Sequence, residues 1–502
     1  MAETNDTQDK THDRAQPEVK DTLSITHHSV TIGGQTIHYT VTAGTLVLKE
    51  EAEKEGDEAG KWEGEQPRAS VFFIAYTRDD VTDPGARPIT FSFNGGPGSS
   101  SVWLHLGVLG PRRVRMDEIG NLPQPPYRLI ENEHSLLDVS DLVFIDPVST
   151  GYSRVVTGEK AKQYHDFKKD IESVGDFIRL YVTRYGRWTS PKFLIGESYG
   201  TTRAGGLSGY LQDRHGMYLN GIMFVSAILH FITGQFDAGN DLPFMLFLPT
   251  YTATAWYHKR LPDDLQQRDL PSVVAEVEAF ALREYALALL QGSTLPQDQR
   301  AAIVQQLARY TGLSPDYIDR SDLRIQDDRF VKELLRDQRR TVGRLDSRFL
   351  GYDRDAVGER NEHDPSYATI LGPYTATFNA YIRGDLKFES DLPYEVLTWR
   401  VRPWSFSDFE GKYIEVVETL RRAMTNNPWL KIFVANGYYD LATPHFATIY
   451  TFNHLGIDPS LHANISMAFY EAGHMMYTHL PSLVQLKADL ADFVQAAVPQ
   501  DH

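Results

Sequence analysis

Hydrophobic and polar positions alternate along the first part of the chain. Between Thr22 and Phe93, runs such as QTIHYTVTAGTLVL and RASVFFIAYTRDD switch character nearly every residue, the period of antiparallel strands with one buried face. The segment joining them, KEEAEKEGDEAGKWEGEQP, is charged and dotted with glycine, and is expected to form a long solvated hairpin loop. From about Pro88 to Leu229 the pattern changes. Continuous apolar runs of strand length, ITFSF, DLVFID, KFLIG and GIMFVSA, alternate with helix-like stretches. In DFKKDIESVGDFIRLYVTRY the apolar positions Ile171, Val174, Phe177, Ile178 and Val182 recur at helical spacing. Strands without a polar face, separated by helices, predict a parallel sheet covered on both sides.

The middle of the chain is rich in helix formers and poor in strand-like runs, as in PSVVAEVEAFALREYALALLQG and DQRAAIVQQLARYTG. The α/β pattern resumes in WLKIFVANG and ISMAFYEAG. It ends in PSLVQLKADLADFVQAAV, where Leu483, Leu486, Leu490, Phe493 and Val494 share one helical face. The expected organisation is a disordered tail over 1–21, an α/β core in two parts (22–231 and 374–502), and a helical cap inserted over 232–373.

Composition narrows the function. A net charge of −17 argues against nucleic acid as the main partner, because phosphate binding needs clustered Lys and Arg. No apolar run approaches the ~18 residues that would span a bilayer. The opening MAETNDTQDKTHDRAQPEVKD lacks the basic region and apolar core of a signal peptide. A cytoplasmic protein is the expectation, with a periplasmic or secreted chain whose signal has been removed as the alternative. With no cysteine there is no disulfide, thiolate metal site or cysteine nucleophile.

The chemistry starts at KFLIGESYGTTRAGG. Ser198 stands in a G-x-S-x-G between a strand-like run and a helix, the strand–turn–helix setting of a nucleophile elbow. A serine in an ordinary turn is the plainer reading, so partners must decide. A serine nucleophile needs a base, and the base needs an orienting group. Asp440 follows the strand-like KIFVANG and His474 follows ISMAFYEAG, in the order Ser, acid, His. Taken singly, a capping aspartate and a surface histidine explain them equally well. An oxyanion hole requires two backbone N–H groups. Tyr199, next after the serine, offers one; the loop NGGPGSSS offers the other, its Gly95, Gly96 and Gly98 letting backbone approach a substrate. His27 and His28 point to opposite strand faces and are read as surface residues.

In order along the chain, NGGPGSS, DLVFIDPVSTGYSR, GESYG, NGYYD and EAGHM resemble the serine carboxypeptidases of the α/β-hydrolase fold, in a bacterial-type form. The resemblance runs from about residue 70 onward and is weakest across the cap. It implies a mixed, mostly parallel sheet with a helical cap, and release of C-terminal residues from peptides through an acyl-enzyme. It implies Ser198 as nucleophile, His474 as base, Asp440 as its partner, and an oxyanion hole from Gly96 and Tyr199. It further implies that Asn94, Gly95 and Glu197 hold the substrate's C-terminal carboxylate and that Met475 lines the leaving-group pocket. No metal or organic cofactor is expected, and the protein is expected as a monomer or homodimer acting on peptides.

Two positions depart from the family pattern. Ser92 stands where a tryptophan is expected, and Val108 where a second glutamic acid is expected. Paired acids raise each other's pKa. Without a partner Glu197 is expected to be ionised near neutrality and to repel a carboxylate, weakening C-terminal recognition or moving it elsewhere. An esterase or acyltransferase on the same scaffold is therefore the first alternative, and a catalytically inactive binding protein the second.

Overall fold

A computed structural model describes residues 19–54 and 58–499. The tail expected over 1–21 lies outside the described residues up to residue 18. Asp21 is already anchored, its carboxylate accepting the Val47 N–H at 2.8 Å and pairing with Arg184.

The central sheet has nine principal strands: β1 (Thr22–Ile32), β2 (Gln35–Glu53), β3 (Trp62–Arg78), β4 (Ile89–Phe93), β5 (Asp141–Ile145), β6 (Lys192–Glu197), β7 (Gly221–Val225), β8 (Lys431–Gly437) and β9 (Ile465–Tyr470). Their order is β1-β2-β3-β5-β4-β6-β7-β8-β9, and the short strand Arg154–Val155 pairs with β3. The first three strands and the β3–β5 pair are antiparallel, whereas every pairing from β5 through β4 to β9 is parallel. The apolar runs in the sequence became the parallel strands because both faces are covered. On β3, Phe72, Ile74 and Tyr76 enter one core cluster while Val71, Phe73 and Ala75 enter the other.

The principal helices are α1 (Phe167–Arg184), α2 (Tyr199–His215), α3 (Leu242–Tyr257), α4 (Leu270–Phe280), α5 (Gln297–Thr311), α6 (Pro365–Gly384), α7 (Val417–Asn426) and α8 (Leu480–Ala497). Helices α1, α2 and α7 cover one face, with Ile171, Val174, Phe177, Ile178 and Val182 of α1 buried. The other face takes α8, through Leu483, Leu486, Leu490, Phe493 and Val494, together with α6. Helices α3, α4 and α5 build a core of their own from residues such as Phe247, Tyr251, Val277 and Leu307, which docks on Leu441 and Phe446 beyond β8.

Two sequence expectations need correction. The two ends of the charged segment continue the β2–β3 ribbon, with Lys49 opposite Pro67, Glu51 opposite Glu65 and Glu53 opposite Trp62. Backbone pairing and the Glu50–Lys169 and Arg68–Glu159 ion pairs hold it without an apolar face. The boundary at residue 373 falls inside α6. The helix runs through Pro373, and its later turns bury Tyr374, Phe378, Tyr381 and Ile382 in the sheet core.

Candidate active site

Three of the four consecutive parallel strands β6 to β9 deliver three polar side chains to one edge of the sheet. In register, Val225 at the end of β7 lies between Glu197 of β6 and Ala435 of β8, and Gly437 of β8 pairs with Tyr470 of β9. Ser198, Asp440 and His474 therefore all follow the carboxyl ends of strands, where open α/β sheets place their sites. The Ser198 N–H donates to Val225 O at 3.0 Å, which carries the pairing into the turn. Its backbone sits at φ 59° and ψ −129°, a strained conformation for a residue with a side chain. The turn closes so tightly that a Cβ on Gly196 would lie 2.2 Å from Gly200 O.

His474 Nδ1 and Asp440 Oδ2 are 2.8 Å apart, and both residues are buried. Asp440 also accepts the N–H groups of Ala442 (2.8 Å) and Thr443 (3.0 Å) and the Thr443 hydroxyl (2.7 Å). Four hydrogen bonds to one carboxylate fix its orientation. They place the imidazole proton on Nδ1 and leave Nε2 as the basic nitrogen. Burial alone would lower the pKa of His474, but the adjacent Asp440 and the field of Glu197 carry it above the ordinary value. Ser226 Oγ donates to His474 O at 2.6 Å, tying the histidine loop to the end of β7. Ser198 is partly exposed, and its hydroxyl makes no hydrogen bond among the described residues.

The glycine loop after β4 packs directly on the elbow. A Cβ on Gly95 would sit 2.4 Å from the Tyr199 nitrogen. Tyr199 opens α2, so its N–H belongs to the unpaired first turn of a helix. Gly96 is exposed beside it. Two buried carboxylates hold this loop. Asp170 of α1 accepts from Arg203 Nε at 2.8 Å, and Arg203 Nη1 in turn donates to Asn94 O at 2.5 Å. Asp146 accepts both the N–H and the hydroxyl of Ser101 at 2.8 Å.

Glu197 lies under the elbow, 3% exposed. Its Oε1 accepts from Asn94 Nδ2 at 3.0 Å, and its Oε2 from the Tyr477 hydroxyl at 2.5 Å. Burial pushes its carboxyl up to about 7, against the downward pull of His474 and of the hydrogen bonds from Tyr477 and Asn94. At neutrality the group is thus about half ionised, and burial makes up for the missing paired acid. A second acid is not needed to raise Glu197, because removal from water does it. Val108 is itself buried and brings no carboxyl to the site, while Ser92 Oγ is buried without a partner. Met475 is buried next to His474.

The serine carboxypeptidase family model matches residues 58–224, which hold the glycine loop and the elbow. Over that segment the chain is similar to the serine carboxypeptidases. The pheromone-processing carboxypeptidase KEX1 of Saccharomyces cerevisiae is 31% identical over 164 residues, 31% of this chain and 20% of that relative. Serine carboxypeptidase-like 29 of Arabidopsis thaliana is 29% identical over 138 residues, 27% of this chain and 26% of the relative. The matched segment thus spans about a fifth to a quarter of these relatives' length. The crystal structure of KEX1(delta)p, a prohormone-processing carboxypeptidase from Saccharomyces cerevisiae, superposes with a TM-score of 0.55 over 91% of both chains, at 17% identity. The fold is that of the α/β-hydrolases.

Several residues of the site escaped the motif reading. Arg203 left a faint mark, a lone cation among small residues just after the elbow. Thr443 and Tyr477 left none, since nothing in GHMMYTHL points the tyrosine at a carboxyl group 280 residues earlier in the chain. Among the described residues, no group of three or more His, Asp or Glu side chains is arranged to hold a metal ion. His27 is exposed and His28 half-buried, each bonded to a threonine hydroxyl.

Proposed function

We propose that the protein is a serine carboxypeptidase, with Ser198, His474 and Asp440 as its triad. His474 Nε2 takes the Ser198 proton as the oxygen attacks the carbonyl of the last peptide bond. The N–H groups of Gly96 and Tyr199 stabilise the oxyanion, and His474 returns the proton to the departing amino acid. Water, activated by the same imidazole, then hydrolyses the acyl-enzyme. The helical insertion that begins at residue 232 and ends ahead of α6 serves as the cap that covers the cleft and selects substrate, and Met475 lines the leaving-group pocket.

The observation that carries the peptide assignment is the buried Asn94–Glu197 pair, because these residues immediately precede the glycine loop and the nucleophile. Below about pH 7 a protonated Glu197 tolerates and can donate to a substrate carboxylate, with Asn94 and the Gly95 backbone beside it. Above that pH the ionised form repels it. This same titration favours a second reading, an esterase or acyltransferase, under neutral to alkaline conditions. N-acetylated peptides in matched free-acid and C-terminal-amide forms, incubated across a pH series and read by mass spectrometry, separate the two. Single-residue losses confined to the free acids support the carboxypeptidase; equal cleavage of acid and amide overturns it.

No helix of the described residues is long and apolar enough to cross a membrane. A cytoplasmic location and a monomeric or homodimeric state complete the proposal, to be checked by cell fractionation and analytical ultracentrifugation.

A further inference from the structure

The insertion also reaches the two loops that carry the acid and the base. Its segment Arg344–Arg348 passes between them and bonds to both. Arg344 O accepts the Leu441 N–H at 3.0 Å, and the Ser347 N–H donates to Tyr439 O at 3.0 Å, so the residues on either side of Asp440 are held. Leu345 O accepts the N–H of His474 itself at 2.7 Å. Asp346 Oδ2 accepts the Gly473 N–H at 3.0 Å, and Arg348 Nη1 donates to Glu471 O at 3.3 Å. The fit leaves no room at Gly473, where a Cβ would stand 2.4 Å from Asp346 Cβ.

Asp346 and Arg348 are joined to each other by a buried two-pronged ion pair, with Nε–Oδ1 at 2.9 Å and Nη2–Oδ2 at 2.7 Å. The guanidinium also lies over the Tyr439 ring, 5.7 Å from its centre. The segment is tied in turn to α3, through Thr254 Oγ1–Ser347 Oγ at 2.6 Å and His258 Nε2–Ser347 O at 2.7 Å. A buried ion pair adds little net stability over a well-packed apolar pair of similar size. What this one fixes is geometry.

We propose that Asp346 and Arg348 are positioning residues for the acid–base pair. The clamp they form holds the His474 loop at one distance from Asp440 and Ser198, so the insertion is part of the catalytic frame as well as a cover. The inference rests on the reading of Ser198, His474 and Asp440 as a triad, and is independent of which acyl substrate is used. A base displaced by about 1 Å costs on the order of a hundredfold in rate while leaving substrate affinity nearly intact.

The test compares two double variants with the wild-type protein. Asp346→Ala/Arg348→Leu removes the clamp without leaving an unpaired buried charge; Asp346→Asn/Arg348→Gln keeps a neutral acceptor and donor in place. Each is assayed for the rate of Ser198 labelling by a fluorophosphonate, for kcat and KM on a p-nitrophenyl ester, and for Tm. The apolar pair is expected to lower labelling and kcat by about ten- to a hundredfold with KM within about twofold, and the amide pair to recover most of the loss. Hydrogen exchange on the wild-type protein should show the Gly473 and His474 amides protected like those of the core strands. The proposal is overturned by a folded apolar variant that labels at the wild-type rate, by a loss confined to KM, or by unprotected Gly473 and His474 amides. A wild-type protein that the phosphonate does not label overturns the triad reading first, and this inference with it.

Discussion

Changing Tyr477 to Phe removes one hydroxyl and leaves the ring in place. That hydroxyl donates to Glu197 Oε2 at 2.5 Å, and it pulls the Glu197 carboxyl downward from where burial alone would put it. A hydrogen bond to a charged group has a net value of about 1.5–3 kcal/mol, and a neutral one about 1 kcal/mol. The protonated carboxyl loses the smaller amount and the carboxylate the larger, so the difference favours protonation by about 0.5–2 kcal/mol. At 1.36 kcal/mol per unit this raises Glu197 by about one pKa unit, from about 7. The readout is kcat/KM for an N-blocked dipeptide acid divided by that for its C-terminal ester, between pH 5 and 9. In the wild-type protein the ratio should fall as pH rises through about 7, when Glu197 ionises and repels the substrate carboxylate. In Tyr477→Phe the fall should move about one unit higher. A fall that stays in place or moves lower would refute the reasoning, because it would mean that the hydroxyl does not stabilise the ionised form.

Three further outcomes follow from the geometry. Asp440→Asn keeps the shape of the loop but loses the charge that orients His474, and should cut kcat by about 10³–10⁴-fold on esters and peptides alike, with KM little changed. Glu197→Gln should flatten the pH dependence of stability. The folded protein keeps the Glu197 proton up to about 7 while the unfolded chain releases it near 4.5, so stability falls as pH rises through that window. The loss is about 3 kcal/mol, complete above pH 7, and calorimetry at pH 5 and pH 8 should show a smaller drop in Tm for the variant than for the wild-type protein. Gly196→Ala would place a methyl 2.2 Å from Gly200 O, and should lower stability by about 1–3 kcal/mol through overpacking and slow phosphonate labelling of Ser198.

The parts of the molecule legible in the sequence are those decided by local pattern. ITFSF, KFLIG and GIMFVSA announce buried strands because parallel strands covered on both faces have no polar side to show. The elbow is legible because a strained turn needs small residues around Ser198. The β2–β3 ribbon defeated the same logic: beyond Leu48 its residues leave the core, so no apolar alternation marks them as strand. Pro373 looked like a boundary, yet packing of Tyr374 and Phe378 on the sheet carries α6 through it. The expectation for Glu197 missed one contribution. It counted neighbouring charges, whereas the larger effect is burial, which is a property of the assembled fold. The Asp170–Arg203 brace, Tyr477 and the Arg344–Arg348 segment all act on residues far away in the chain, and local pattern carries no information about such pairs.

The order of the proposed catalytic residues along the chain also bears on how the protein is made. Ser198 and its turn need only β6, β7 and the start of α2, whereas Asp440 and His474 hang from β8 and β9, with the whole insertion in between. Synthesis runs from the amino terminus, and early segments generally fold before late ones exist. A nascent chain therefore carries a serine hydroxyl with neither proton acceptor nor orienting carboxylate, and is chemically inert. On the proposed mechanism, the triad is complete only when the last two strands have joined the sheet and the insertion holds their loops. If the proposed triad operates, activity reports completed assembly, and an unfinished chain is without it.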